Sequence, residues 1–82
     1  MISYKTNQKA EADIHNMTRE EARRYLTLFL NRVNGSIREV EVIHGWSGGT
    51  VLKDMVQKSF RHPKVKAKVV SMNPGITILI LK

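Results

Sequence analysis

Arg38-Glu39-Val40-Glu41-Val42-Ile43-His44-Gly45-Trp46-Ser47-Gly48-Gly49-Thr50-Val51-Leu52-Lys53 changes its hydrophobic period halfway along. From Arg38 to Ile43 charged and β-branched residues alternate, with Val40 and Val42 on one face, which predicts a half-buried strand. His44 to Gly49 is a glycine-rich loop. Beyond it Val51, Leu52, Met55, Val56 and Phe60 recur at helical spacing. They predict an amphipathic helix that ends before His62-Pro63, because the residue preceding a proline avoids the helical region. A strand, a tight turn and a helix in succession begin a β-α-β unit, and that unit places the chain in the α/β class.

The flanking segments extend the pattern. Upstream, Ala10 to His15 reads as a short strand and Asn16-Met17 as a turn. Thr18-Arg19-Glu20-Glu21 is a capping-box sequence, in which Thr18 caps the helix and Glu21 reaches back. Met17 and Ala22 sit at hydrophobic-staple positions. Ala22, Tyr25, Leu26, Phe29, Leu30 and Val33 then predict a helix over about 19–33, closed by Asn34-Gly35. Residues 1–9 are polar and lack a sustained period, so a flexible N-terminal arm with a short extra strand through Ile2 and Tyr4 is expected ahead of a domain spanning 10–82. Downstream, Lys64 to Val70 alternates lysine with Val65, Ala67 and Val69 as a half-exposed strand does. Asn73-Pro74-Gly75 is a strong turn, and Ile76 to Leu81 is apolar enough to lie inside a sheet. The order is β-α-β-α-β-β. Strand–helix–strand passages favour right-handed crossovers and parallel strands, whereas the tight turn makes the last two strands antiparallel. A single-domain two-layer sandwich follows, with two helices packed on a mixed four-stranded sheet.

Eighty-two residues suffice for one small core and leave no room for a separate substrate domain. The chain has no cysteine, which excludes disulfides and thiolate metal sites and agrees with a reducing compartment. Met1-Ile2-Ser3-Tyr4-Lys5 is not followed by the long apolar stretch of a signal peptide, and the run Ile78 to Leu81 is far too short to span a bilayer. A cytoplasmic protein without membrane contact is expected. Fourteen Lys and Arg against seven acids give a net charge of +7, a balance that favours polyanionic partners such as nucleic acid or ribosomes. Lys53, Lys58, Arg61, Lys64, Lys66 and Lys68 are opposed locally by Asp54 alone. A solubilising lysine surface is the plain alternative.

The chemistry-bearing residues gather at the two strand-to-helix turns. Open α/β sheets bind ligands beyond the carboxyl ends of their strands, where Asp13, His15 and His44 can converge. Histidine titrates near neutrality, so a pair supplies a general base and a general acid in one turnover. On RNA one histidine would deprotonate the 2′-hydroxyl and the other protonate the leaving oxygen; on DNA one would activate water. Asp13 would orient His15, or would simply accept hydrogen bonds from a neighbouring turn. A histidine at a strand end is also often just a satisfied polar residue. Gly45, Gly48 and Gly49 either permit a tight turn or let backbone N–H groups approach a phosphate. The G-K-[ST] ending of a P-loop is missing, so no nucleotide cofactor is expected. Lys53, in the first turn of the second helix, opposes the helix dipole and is a candidate anion ligand or a solvated lysine. Trp46 either stacks on a base or folds back as a lid on the core. Lys64, Lys66 and Lys68 either track a phosphate backbone or form a solvated strand face. A divalent ion held by Asp13, His15 and His44 is an alternative that their spacing does not single out, and no metal is assigned.

These segments resemble the Smr domain, the small MutS-related module. The family's first motif reads roughly D-L-H-G before T-x-x-E-A, and Asp13-Ile14-His15-Asn16-Met17-Thr18-Arg19-Glu20-Glu21-Ala22 stands in its place. The second reads H-G, a glycine-rich stretch, then a helix with an early basic residue, as in His44-Gly45 through Gly49 and Thr50-Val51-Leu52-Lys53. The closing N-P-G before an apolar strand is matched by Asn73-Pro74-Gly75 and Ile76 to Leu81, so the resemblance spans residues 11–82. It implies an α/β sandwich similar to the C-terminal domain of a bacterial translation initiation factor. It also implies nucleic-acid binding, with nicking or endonuclease activity in some members. The implicated acid, histidines and basic residue map onto Asp13, His15, His44 and Lys53. Asn16 replaces the usual glycine, Lys53 stands where arginine is common, and Trp46-Ser47 resembles the H-G-aromatic-x-x-G-T variant of small stand-alone members.

The expectation is a nucleic-acid-binding domain acting as a DNA or RNA endonuclease. The alternatives are a non-catalytic binding module of the same fold and a protein-interaction module whose basic face meets an acidic partner.

Overall fold

The computed structural model describes residues 2–45 and 49–82. The elements run β1 (Ser3–Tyr4), β2 (Lys9–Asp13), α1 (Arg19–Arg32), β3 (Glu39–Ile43), α2 (Val51–Asp54) with a π-helical turn (Met55–Ser59), β4 (Val65–Val70) and β5 (Ile76–Leu81). The sheet is five-stranded in the order β1-β2-β3-β5-β4. β2 and β3 are parallel, whereas β5 runs antiparallel to both β3 and β4. The mixed two-layer α/β architecture therefore stands, with a fifth strand added to the four expected in the sandwich.

That extra strand is the short one through Tyr4. It pairs antiparallel with β2, Ser3 opposite Glu11 and Tyr4 opposite Ala10. Further contacts tie the segment after it to the sheet. Lys5 and Thr6 donate their N–H groups to the Lys9 carbonyl, and Lys5 Nζ sits 2.7 Å from Glu41 and 3.7 Å from Glu11. Together with Lys9 opposite Glu39, these pairs neutralise the acids on the open side of the sheet. Exposed pairs of this kind contribute little to stability.

α1 forms where its local signals put it. Thr18 Oγ1 accepts the Glu21 N–H, and the Glu21 carboxylate accepts the Thr18 N–H at 2.9 Å, which completes the capping box. The Thr18 N–H holds the Glu21 carboxyl below its ordinary range. Ala22, Leu26, Phe29 and Leu30 face the sheet and meet Ala10, Ala12, Val40, Val42, Leu79 and Leu81 in the core.

The second helix differs from its sequence pattern. Four α-helical residues give way to a π turn, in which the Phe60 N–H reaches the Met55 carbonyl. Met55, Val56 and Phe60 are all buried, as their helical spacing predicts. Val51 is the residue left outside, 61% exposed rather than part of the apolar face.

On β5 the pleat sends Thr77, Leu79 and Leu81 under the helices and leaves Ile76, Ile78 and Ile80 half-buried on the other side. β4 is an edge strand whose register shifts between Val65 and Ala67.

Candidate functional site

The parallel pairing of β2 with β3 builds the site. Asp13 is level with Ile43, and the Ile14 N–H continues the ladder to the Ile43 carbonyl at 2.9 Å. The two turns that follow are thereby held side by side. Gly45 adopts φ +74°, and a Cβ placed on it would lie 3.5 Å from the Cβ of His15. A cleft of about 550 Å³ opens there, lined among others by Asp13, His15, Arg19, His44, Gly45 and Gly49. It lies at the carboxyl ends of the parallel strands, where open α/β sheets bind ligands.

β2 ends at Asp13, so His15 is not on the strand with it. Asp13 Oδ1 instead accepts the His15 backbone N–H at 3.1 Å and also bonds His15 Nδ1. Because a carboxylate only accepts, Nδ1 carries the proton, and Nε2 of the neutral ring is left as an acceptor. The His15 side chain is 53% exposed, and no other described residue hydrogen-bonds its ring. Asn16 follows at φ 71°, a left-handed conformation that glycine adopts freely and asparagine tolerates.

His44 is placed differently. It is 5% exposed, and both ring nitrogens are occupied: Nδ1 lies 2.8 Å from the Gly45 carbonyl and Nε2 2.9 Å from Thr77 Oγ1. The carbonyl only accepts, so Nδ1 donates and Nε2 accepts from the Thr77 hydroxyl. Thr77 Oγ1 in turn accepts from Gln57 Nε2 at 2.9 Å. Among the described residues, His44 and Thr77 are the buried polar side chains, and they satisfy each other.

The glycine turn also has prior commitments. The His44 and Gly45 N–H groups both donate to the Gly75 carbonyl, at 2.9 and 3.1 Å. The Gly45 N–H is therefore spent inside the fold rather than offered to a phosphate. The Asn73-Pro74-Gly75 turn, held by the Gly75 N–H on Asn73 Oδ1, does more than reverse the chain: it braces the second motif. Gly49 lines the cleft at φ +102°. Trp46 and Gly48 lie outside the described residues.

The lysines are dispersed. Lys53, on α2, is not among the described residues lining the cleft. Lys64 Nζ caps the Leu30 carbonyl at the end of α1, and Lys68 Nζ caps the Phe60 carbonyl after the π turn, both at 2.6 Å. Burial, and then the neighbouring Arg61 charge, lowers the Lys68 pKa. Lys66 falls at the register shift of β4. The three do not form one continuous face, because the shift breaks their alternation.

Three residues that matter here carried no separate signal in the sequence. Arg19 supplies a cation to the cleft wall but is embedded in a capping box. Thr77, the one hydroxyl in the apolar strand Ile76 to Leu81, and Gln57 hold His44. Among the described residues no group of three or more His, Asp or Glu side chains is arranged to hold a metal ion. No helix among them is long and apolar enough to cross a membrane.

The sequence model of the Smr domain matches residues 12–77. The crystal structure of the Smr domain of Thermus thermophilus MutS2 superposes with a TM-score of 0.77 at 19% identity, covering 88% of this chain and 96% of that one. At that identity the likeness speaks to the fold alone. No curated protein sequence matches significantly.

Proposed function

The chain belongs to the Smr domain family, and on that premise we propose that it binds nucleic acid and breaks a phosphodiester in the cleft between the two turns. The observation that carries the reading is His15: an exposed imidazole, tied through Nδ1 to Asp13, in the wall of a cleft that Arg19 also lines. His15 Nε2 takes the proton of the attacking oxygen, a 2′-hydroxyl on RNA or a water on DNA. That oxygen bonds to phosphorus, and the leaving oxygen departs and takes a proton from solvent. Asp13 fixes the tautomer and stabilises the imidazolium that forms. Arg19 neutralises the non-bridging oxygens. His44 acts as a positioning residue, holding the Gly45 carbonyl and so the turn that faces His15.

A second reading, binding without cleavage, is favoured by one observation. The two-histidine acid–base pair is not assembled, because both nitrogens of His44 are engaged by Gly45 and Thr77. Incubation with end-labelled single-stranded RNA, single-stranded DNA and supercoiled plasmid, with and without EDTA, separates the two. Cleavage by the wild type and none by His15→Ala supports the catalytic reading, and the EDTA lanes report whether a metal takes part. Gel shifts without cleavage leave the binding module. No shift and no cleavage at low salt removes both, since phosphate-driven binding is strongest there.

A further inference from the structure

A second cleft, of about 400 Å³, lies on the outer side of α1 and shares His15, Asn16 and Met17 with the first. Its remaining wall is Glu21, Arg24, Tyr25 and Leu28. Their spacing of three, four and seven residues makes one stripe along the helix. This stripe is not the core face, which is carried by Ala22, Leu26, Phe29 and Leu30. Tyr25 leans against Phe29 with ring centroids 6.0 Å apart, which fixes its ring, while Leu28 stays 46% exposed beside it. A fixed aromatic ring, a thioether, an isobutyl group and a guanidinium thus surround one hollow on a strongly basic protein. Nothing in the proton chemistry at His15 requires them.

Resting on the reading of His15 given above, we infer that this hollow is a nucleobase subsite: it takes the unpaired base of the nucleotide next to the phosphate held in the first cleft. The argument is one of continuity. His15 is a wall of both clefts, so a phosphate within reach of its Nε2 has its own nucleoside beside the second. Tyr25 and the Arg24 plane offer stacking surfaces that any base can use, whereas Met17 and Leu28 exclude water around it. Glu21 also lines the hollow, with one carboxylate oxygen held by the Thr18 N–H. A base in a duplex cannot enter, because its faces are stacked and its edge is paired. The substrate class is accordingly a single-stranded or locally unpaired segment.

The test compares two probes, a labelled 2′-O-methyl oligouridylate and the same backbone carrying abasic residues. The first lacks the nucleophilic hydroxyl, so affinity is read without cleavage. The variants are Tyr25→Leu, which keeps an apolar side chain against Phe29, and Leu28→Ser, at an exposed position where folding is not at stake. Stacking on one base corresponds to roughly a 5- to 150-fold change in affinity. The wild type should prefer the base-bearing probe by a factor in that range. Each variant should lose much of that preference while its abasic affinity and salt slope stay unchanged, since the phosphate contacts remain. Equal wild-type affinity for the two probes, with binding itself intact, overturns the subsite and leaves the parent reading standing. Variants that weaken both probes alike also overturn it. Failure of the wild type to bind either probe at low salt overturns the parent reading together with this inference.

Discussion

Thr77→Val removes one hydroxyl from a fully buried position and keeps the side chain's shape. In the wild type that hydroxyl donates to His44 Nε2 and accepts from Gln57 Nε2, each at 2.9 Å. His44 Nδ1 must donate to the Gly45 carbonyl, so the neutral ring cannot turn its Nε2 into a donor to find another partner. The substitution therefore strands a buried acceptor, at a cost of about 1–3 kcal/mol. Gln57 is only half-buried and can turn to water, so it adds little. A net loss of about 2 kcal/mol should lower the melting temperature of a domain this small by about 8–16 °C. Circular-dichroism melting with a parallel urea titration reads the effect. Thr77→Ser, which keeps the hydroxyl and gives up a methyl, should lose less. In a His44→Ala background the valine substitution should cost far less than in the wild type, because the stranded acceptor is gone. A valine variant that melts within about 2 °C of the wild type would refute the assigned hydrogen-bond chain.

Three further outcomes follow from the same geometry. Asn16→Gly should leave stability within about 0.5 kcal/mol of the wild type or raise it, whereas Asn16→Ala should cost about 1–2 kcal/mol, because φ 71° is strained for alanine; urea midpoints check both. Gly45→Ala should cost about 1–2 kcal/mol for the same reason at φ +74°, and its methyl, in contact range of the His15 Cβ, should shift the His15 ring resonances in NMR spectra. His62 donates Nε2 to Asn31 and accepts the Lys64 N–H at Nδ1, and burial, then the Lys64 charge, lowers its pKa. A folded histidine that resists protonation makes stability full above the unfolded value, about 6.5, and makes it fall as the pH drops through that value. Urea midpoints across that window should fall more steeply for the wild type than for His62→Gln.

What the sequence carried was local. The capping box at Thr18 to Glu21, the stripe on α1, the N-P-G turn and the alternation in β3 each rest on neighbours within a few residues, and each became the expected element. β1 answers the expected short strand through Tyr4, although pairing with β2 rather than a period of its own holds its two residues. The misses lie elsewhere. The π turn Met55–Ser59 interrupts a helical period that runs through the sequence without a break. The site shows the same division. Asp13 and His15 lie two residues apart, and their association was legible, though the turn after β2 rather than the strand brings them together. The surroundings of His44 depend on Thr77, which is remote in sequence, and no periodicity reports a hydrogen bond of that kind. The lysine row of β4 looked continuous because a register shift leaves no mark in composition.

Chemical rescue at His15 tests the central claim most directly. Single-turnover cleavage of single-stranded RNA should fall by about 10²–10⁴-fold in His15→Ala, the usual contribution of a positioned acid–base group. Added imidazole should restore part of it, while circular dichroism reports an intact fold. Cleavage by folded His15→Ala at the wild-type rate, with no response to imidazole, would contradict the assignment of proton transfer to His15.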